Sequence, residues 1–143
     1  MKSDNLKKIL ELTESLERVE ENLVEENSIL EFVLEQFTDG YWDWDVKKNY
    51  EYLSPKFKQQ LGYEVHEMEN KPESWMVICN DDDLVLTTDK IKLLINGDVD
   101  EFSNILRFTH KKGHEIKILC RGKVVKRDDE GKALRVVGTH TLI

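Results

Sequence analysis

The sequence predicts an α+β domain: a five-stranded antiparallel sheet with short helices on one face, preceded by a long amphipathic helix. Strand-like runs stand in two groups, within 41–53 and 102–141, and helix-like segments lie between them. This order is typical of an antiparallel sheet whose helices gather on one side. The first 37 residues contain almost only helix formers, with neither Gly nor Pro. We therefore divide the chain into an N-terminal helix, 1–37, and a sheet domain, 38–143.

A heptad pattern runs along the predicted N-terminal helix. Its apolar residues recur in steps of three and four, as at the a and d positions of a coiled coil. A helix of this length reaches roughly 50 Å, whereas a domain of about 100 residues has a radius of gyration of about 13 Å. We expect the pattern to form a homodimer interface with a second copy; the alternative is a lone helix folded back on its own domain. The interface residues are Ile9, Leu12, Leu16, Val19, Leu23, Leu30 and Val33.

The segment after this helix predicts two strands and a short helix. Residues 38–40 should end the long helix, with Gly40 as a left-handed cap. Aromatic and acidic residues alternate over 41–45, which predicts a strand with one buried face, and 50–53 predicts a second strand. Ser54-Pro55 then suits the start of a helix, because the serine can cap it and the proline fits its first turn.

Helices and a three-stranded meander complete the predicted domain. Short helices are expected over 64–68 and 72–77, and a longer one over 84–95 with an apolar face. The closing strands are rich in Val, Ile, Leu, Phe and Thr, which suit a half-buried sheet, and glycine-containing turns separate them. Their predicted ranges are 102–108, 115–126 and 134–141.

Charge and cysteine content narrow the class of protein. Ten acids and four bases lie in the first 37 residues, which gives this segment six of the eight net negative charges. An acidic surface argues against nucleic acid as a partner, because phosphate binding needs a basic face. No apolar run is long enough to span a bilayer, so no membrane insertion is expected. Cys79 and Cys120 show neither metal spacing nor a disulfide framework, which indicates reduced thiols in the cytoplasm.

Five short motifs follow one another through the sheet domain. They are Tyr41-Trp42-Asp43-Trp44-Asp45, Tyr52-Leu53-Ser54-Pro55-Lys56-Phe57, Leu61-Gly62-Tyr63, Asp81-Asp82-Asp83, and a C-terminal block with Lys112-Gly113, Arg121-Gly122, Asp129-Glu130-Gly131-Lys132 and Arg135-Val136-Val137-Gly138-Thr139-His140-Thr141. With these motifs, residues 37–143 resemble a PAS domain, of the PAS/PAC type found in bacterial histidine kinases and diguanylate cyclases. The resemblance implies the sheet described above, helices over one face, often a small pocket between them, and a sensory role in signal transduction such as two-component systems.

The sequence departs from the family pattern in three places. Cys79-Asn80 stands where relatives often have His-Pro, and Lys117 stands where they often have an aromatic residue. Leu142 replaces the aspartate of the usual terminal Asp-Ile-Thr. Because that motif joins the domain to an output helix in relatives, its loss shifts the expected signalling role to the N-terminal helix.

The resemblance brings two cofactors into consideration, and the residues argue against both. Flavin-binding relatives carry their cysteine in an Asn-Cys-Arg-Phe segment, whereas Cys79 lies in Ile78-Cys79-Asn80-Asp81. Haem-binding relatives use a histidine on the long helix after the acidic run, but 84–95 contains none and His66 lies earlier. Flavin and haem are therefore not expected, and the cofactor stays unknown.

Large apolar side chains expected between sheet and helices are the candidates for lining a ligand pocket. They are Trp42, Trp44, Phe57, Leu61, Trp75, Ile91 and Leu119. The alternative is that they simply fill the core, because sequence alone cannot separate a lining residue from a packed one.

Several polar groups have a second interpretation besides a structural one. His110 and His114 flank a turn and could hold a metal, although a solvated hairpin tip explains them. The acids at 81–83 could bind a hard cation or stabilise a helix N-terminus. His140 suits a sheet position, and its charge could change near neutral pH. No metal site is predicted.

The sequence thus predicts a non-enzymatic sensory PAS domain that dimerises through its N-terminal helix. It contains no nucleophile–base pair, metal set or phosphate loop at motif spacing. An output enzyme would lie outside this chain, in the same protein or a partner, and a small ligand could occupy the core. The alternative function is a ligand-free scaffold that holds proteins together.

Overall fold

A computed structural model describes residues 2–36 and 39–143. The chain divides into two compact units, Met1–Phe37 and Thr38–Ile143. Within the first unit, the side chains at 30, 31 and 34–36 lie outside the described residues. The predicted interface residue Leu30 and the predicted helix end at 37–38 therefore cannot be compared with the structure.

Helix α1 spans Lys2–Gln36 and makes up the first unit. Its polar side chains are compatible with the helix, because Thr13 and Ser15 donate their hydroxyls to carbonyls one turn earlier, at 2.9 and 3.0 Å. The six described members of the heptad pattern are each more than 40% exposed. In the described part of the chain, no helix is both long and apolar enough to cross a membrane.

The second unit contains a five-stranded sheet in which every neighbouring pair is antiparallel, as predicted. The strand order is β2-β1-β5-β4-β3, so the last strand of the chain lies in the centre. The strands are β1 Gly40–Asp45, β2 Tyr50–Leu53, β3 Glu101–Thr109, β4 Glu115–Arg127 and β5 Ala133–Leu142. They exceed the predicted ranges by at most one residue at each end.

Three helices and one 3₁₀ turn connect β2 to β3, which confirms the α+β class. The elements are α2 Pro55–Gln60, a 3₁₀ turn at Val65–Glu67, α3 Pro72–Met76 and α4 Asp81–Asn96. Ser54 and Asn80 cap α2 and α4, because their side-chain oxygens accept from the backbone N–H three residues later. Gly97 ends α4 in the left-handed region, at φ 94°.

The prediction that Gly40 is a left-handed cap is wrong. Gly40 is the first residue of β1 and lies outside the left-handed region. It is needed for close packing instead, since a Cβ here would lie 2.8 Å from the Cβ of Phe57. The close contact between β1 and α2 therefore explains the glycine. Its position just after the long helix only resembles that of a C-terminal cap.

An ion pair fixes the start of α4 to the middle of β3. The Asp83 carboxylate accepts from the backbone N–H of Arg107 at 2.8 Å and from its guanidinium at 2.9 and 3.0 Å. Arg107 also donates to the Asn80 side chain at 3.0 Å. This guanidinium holds the pKa of the Asp83 carboxyl below its usual range. The acidic run thus joins helix to sheet as well as favouring the helix N-terminus.

We expect Asp83→Ala to lower the free energy of unfolding by about 2 kcal/mol, because three hydrogen bonds to a charged group are lost. Urea denaturation measures the change. Asp82→Ala is the matched control: it removes an equal charge from the same helical turn, where the side chain is exposed, and should cost less than about 0.5 kcal/mol. Equal losses in the two variants would show that only the charge at the helix N-terminus matters.

Candidate functional site

The sheet, α3 and α4 enclose a cavity of about 210 Å³. Most of its wall is apolar, and a few polar groups converge on it, as is typical of ligand pockets. The apolar lining residues are Trp42, Trp44, Pro72, Trp75, Met76, Ile91, Leu94, Phe102, Leu106, Cys120 and Val136. The polar ones are Asn49, Glu51, Glu73, Thr87, Thr88 and His140.

The alternation of β1 places two of the tryptophans on the wall. Trp42 and Trp44 are two residues apart, so both point to the same face of the sheet. In the register of the sheet, Trp42 pairs with Gly138 on one side, and Trp44 pairs with Glu51 on the other. The carboxyl of Glu51 therefore stands beside an indole on the inner face.

A pair of glycines makes room for the Trp42 indole. Gly138 and Gly122 are opposite each other on β5 and β4, and Phe102 follows in the same row on β3. A Cβ on Gly122 would lie 2.8 Å from the Trp42 ring, and the rings of Trp42 and Phe102 are 6.2 Å apart. The indole thus crosses the central strands over the glycines and forms the floor of the cavity.

Glu51 is a buried carboxyl, with 5% of the residue exposed. The indole N–H of Trp75 donates to both of its oxygens, at 3.1 and 3.0 Å. Burial raises the pKa of Glu51 to about 7, the indole hydrogen bond from Trp75 partly opposes this rise, and the nearby charge of Glu73 adds a smaller increase. A carboxyl in this environment is close to half-ionised at neutral pH, which is unusual for a side chain of this type.

His140 is a second buried titratable group in the cavity wall. Its imidazole stacks on the Phe57 ring, with 3.8 Å between centroids, and its Nδ1 has no hydrogen-bond partner among the described residues. Burial lowers the pKa of His140 to about 3. The prediction that its charge could change near neutral pH is therefore wrong, because the folded domain keeps the ring uncharged.

Both cysteines are buried free thiols. Burial raises the pKa of Cys79 to about 11, and it raises the pKa of Cys120 further above the usual range. Because the thiolate is the reactive form, neither group suits nucleophilic chemistry. Cys120 contributes a small apolar surface to the cavity wall.

Exposed polar residues mark the mouth of the cavity. The side chain of Asn49 accepts from the Trp44 indole N–H at 3.4 Å and donates to Glu73 at 2.9 Å. Asn49 adopts a positive φ of 50° in the turn between β1 and β2. These hydrogen bonds link the first hairpin to α3 across the rim.

The structure brings four of the seven predicted pocket residues together: Trp42, Trp44, Trp75 and Ile91 line the cavity. Phe57 and Leu61 are fully buried, but they pack in the core under α2 and do not line it. Leu119 lies on the other face of the sheet, because Ile118 and Cys120 on either side of it point inwards.

Two titratable groups stand out in the cavity wall, Glu51 and His140. The sequence patterns placed His140 on a strand but not in a pocket, and they did not single out Glu51. Glu51 lies two residues before Leu53, which the strand pattern assigns to the buried face. Strict alternation would therefore have placed the acid inside. Glutamate is rarely fully buried, so its residue type gave no reason to place it in a pocket.

Other candidates from the sequence lie away from this cavity. The imidazoles of His110 and His114 stack at 4.2 Å at the exposed hairpin tip, and the described residues include no group of three metal-ligating side chains. A larger depression of about 750 Å³ lies beside Lys90, Phe102 and Arg121, but it is an open surface groove. The cavity between the sheet, α3 and α4 is less open and more apolar than this groove, and it is the better candidate for a ligand.

The cavity does not fit flavin or haem. Its volume equals that of about seven water molecules, which is too little for three fused rings or a porphyrin. His140 is the histidine in the lining, and its ring already stacks on Phe57. The residues present favour a smaller molecule, with a single ring or an equivalent apolar body.

Comparison with known proteins gives a match to one protein family. Residues 50–140 match the family described as the PAS fold, and this segment is more than half of the chain. No curated protein matches the sequence.

Solved structures share the fold. A sensory box histidine kinase/response regulator from Burkholderia thailandensis E264 is similar at a TM-score of 0.66 and 25% identity, over 80% of this chain and 83% of that one. The N-terminal domain of a diguanylate cyclase with a PAS/PAC sensor from Marinobacter aquaeolei gives 0.62 and 21%, over 73% and 94%. The PAS domain of a Colwellia psychrerythraea protein gives 0.62 and 11%, over 85% and 97%.

Proposed function

The chain belongs to the PAS-fold family, and from this premise we propose that it is a non-catalytic sensory module of a signalling protein, which binds a small ligand and dimerises through α1. One observation carries the proposal: a cavity walled by indoles encloses a carboxyl that is 5% exposed. Burying an ionisable group without an ion pair costs stability, so its presence is better explained by a ligand than by core packing. Two free buried thiols support the cytoplasm as the compartment.

The solved structures that share the fold support a proposal for the kind of domain that this chain controls. Two of them are a histidine kinase/response regulator and a diguanylate cyclase with a PAS/PAC sensor. We propose that this domain likewise controls an output domain or partner protein. A ligand that prefers one of two packings of a helix pair would shift the equilibrium between them, and α1 supplies the helix.

The charge pattern of α1 supports pairing with a second copy. In a parallel coiled coil, g and e positions face each other across the seam. With Ile9 at position a, no g–e pair among the described residues places two acidic side chains opposite each other. The glutamates at 11, 14, 17, 21 and 25 fall on the outer positions b, c and f. The facing pairs are Lys8 with Thr13, Ser15 with Glu20, and Asn22 with Asn27.

Glu26 tests the dimer most sharply, because it occupies a d position where two copies would place like charges together. We expect Glu26→Leu to tighten the dimer at least about tenfold, by adding apolar area and removing repulsion. Sedimentation velocity over a concentration series measures the dissociation constant. Glu21→Leu is the matched control, since position f faces away from the seam.

Leu16→Glu should act in the opposite direction and produce a monomer, while circular dichroism of the sheet domain stays unchanged. The dimer would be contradicted if the unchanged chain remained monomeric at high concentration. Equal effects of Glu26→Leu and Glu21→Leu on the dissociation constant would contradict it as well.

Native mass spectrometry of the chain purified from its own host tests ligand binding. A bound small molecule of defined mass, lost on gentle activation, is the expected result. A chain that carries no such molecule under any growth condition, yet still dimerises, would instead support the ligand-free scaffold.

A further inference from the structure

The cavity has the electrostatic character of a site for a cation. Three indoles, from Trp42, Trp44 and Trp75, line it, and the two charged side chains in its wall are Glu51 and Glu73. Within the described residues, neither Lys nor Arg contributes to the lining. Aromatic faces and carboxylates both attract cations, and indole is the strongest of the aromatic groups in this respect.

Glu51 retains unused hydrogen-bonding capacity. An ionised carboxylate offers about four acceptor positions, whereas the Trp75 indole supplies a single N–H to the two oxygens. No ion pair to Glu51 occurs in the described part of the chain. A donor that carries a positive charge would satisfy the remaining positions and compensate the buried charge at once.

The volume limits the size of the guest. A cavity of about 150 Å³ in another protein holds benzene, and 210 Å³ scales to about eight non-hydrogen atoms. A single ring with a short side chain has this size, and the apolar wall suits its body.

Resting on the proposed sensory function, we propose that the cavity binds an organic ammonium ion of about eight non-hydrogen atoms, with its nitrogen beside Glu51 and its apolar body between the tryptophans. The ammonium group donates hydrogen bonds to the carboxylate, and the indole faces surround the adjacent carbon atoms.

Isothermal titration calorimetry of the full chain at pH 8 tests the charge of the guest. The probes are 2-phenylethylammonium chloride, the neutral 2-phenylethanol and the anionic 3-phenylpropionate. We expect the ammonium ion to bind at least tenfold more tightly than the alcohol, and the carboxylate to give no binding. Equal affinity for ammonium and alcohol, or no ammonium binding at millimolar concentration, overturns the proposal.

Variants of the chain test the assigned contact. Glu51→Gln should weaken ammonium binding at least tenfold and leave the alcohol within twofold, because the shape of the side chain is kept. Glu115→Gln on the exposed part of β4 is the matched control and should change neither. If Glu51→Gln leaves ammonium affinity unchanged, the contact with Glu51 is overturned.

The pH profile gives a second readout. Of the titratable groups that share the lining, Glu73 has a lowered pKa, Cys120 a raised one, and His140 stays neutral. Glu51 is therefore the group in this lining that ionises between pH 6 and pH 8. Ammonium affinity should rise about tenfold over this range, and a flat profile contradicts the proposal.

Failure of the ligand class is distinguishable from failure of the sensory function. A neutral or anionic molecule found by native mass spectrometry would overturn the ammonium class and leave ligand sensing intact. Ammonium binding without any effect on the α1 dimer in sedimentation would support the ligand class and count against sensing through the helix.

Discussion

Gly138→Ala is expected to destabilise the sheet domain by about 4 kcal/mol or more. A methyl group at this position would overlap the backbone carbonyl oxygen of Arg121 and lie 2.5 Å from the Trp42 indole. Backbone atoms of a central strand cannot move aside as the end of a flexible side chain can, so the sheet must distort. Since domains are stable by about 5–15 kcal/mol, urea denaturation should show a large loss, or the chain should fail to fold.

Gly113→Ala separates this effect from the general cost of removing a glycine. Gly113 lies at the tip of a hairpin with φ 98°, and a Cβ there meets nothing within 4 Å. Its replacement should cost about 1 kcal/mol, from backbone strain alone. Similar losses in the two variants would contradict the close approach of strands and indole at Gly138.

The fold could be predicted from the sequence because its local signals agree with one another. Ser54-Pro55 predicts the start of α2, and the structure confirms it. The helix predicted over 84–95 is present as α4, which begins three residues earlier because Asn80 caps it. Gly40 was assigned wrongly, as a helix cap, because its requirement comes from Phe57 on another element. Local sequence identifies a cap more readily than a long-range contact of this kind.

The cavity was harder to predict, for a physical reason. Trp42 and Phe57 are both large and buried, and whether such a side chain lines a space or fills it depends on packing between distant elements. Leu119 lies in a nearly continuous apolar run, where the alternation of inward and outward side chains along the strand is hard to recognise. The neighbouring Lys117 and Arg121, which are exposed, share its face and give the correct orientation.

Glu51→Gln should stabilise the chain by about 3 kcal/mol at pH 8 and by little at pH 4.5. The pKa of this carboxyl is raised from 4.5 to about 7 by burial. Between these values the unfolded chain has lost the proton and the folded chain has kept it, so stability falls as the pH rises. The amide is neutral at every pH, and its oxygen can still accept from the Trp75 indole.

Urea denaturation across pH 4.5–8 measures this effect, read as the difference between variant and unchanged chain so that all other titrating groups cancel. Glu115→Gln, on an exposed position, should give a difference near zero throughout. If Glu51→Gln gains no stability between pH 5 and pH 8, the carboxyl is not desolvated in the folded state.

His140 makes the prediction more specific, because its protonation changes the stability in the opposite direction to that of Glu51 as the pH rises. Burial lowers the pKa of His140 from 6.5 to about 3, so over that range the unfolded chain binds a proton that the folded chain does not. Stability from this group is therefore lost as the pH falls. Between pH 4.5 and pH 6.5 the two linkages cancel, since folding takes up one proton at Glu51 and releases one at His140.

Each single variant should consequently show the slope of stability against pH that comes from the group it retains, because the opposing group has been removed. Over pH 4.5–6.5, Glu51→Gln should become more stable with rising pH by about 2 kcal/mol, and His140→Asn less stable by a similar amount. Loss of the stacking on Phe57 shifts the whole His140→Asn curve without changing its slope. Read as the difference from the unchanged chain, the double variant should again be nearly flat, and a clear slope in that difference would mean that the two linkages are unequal.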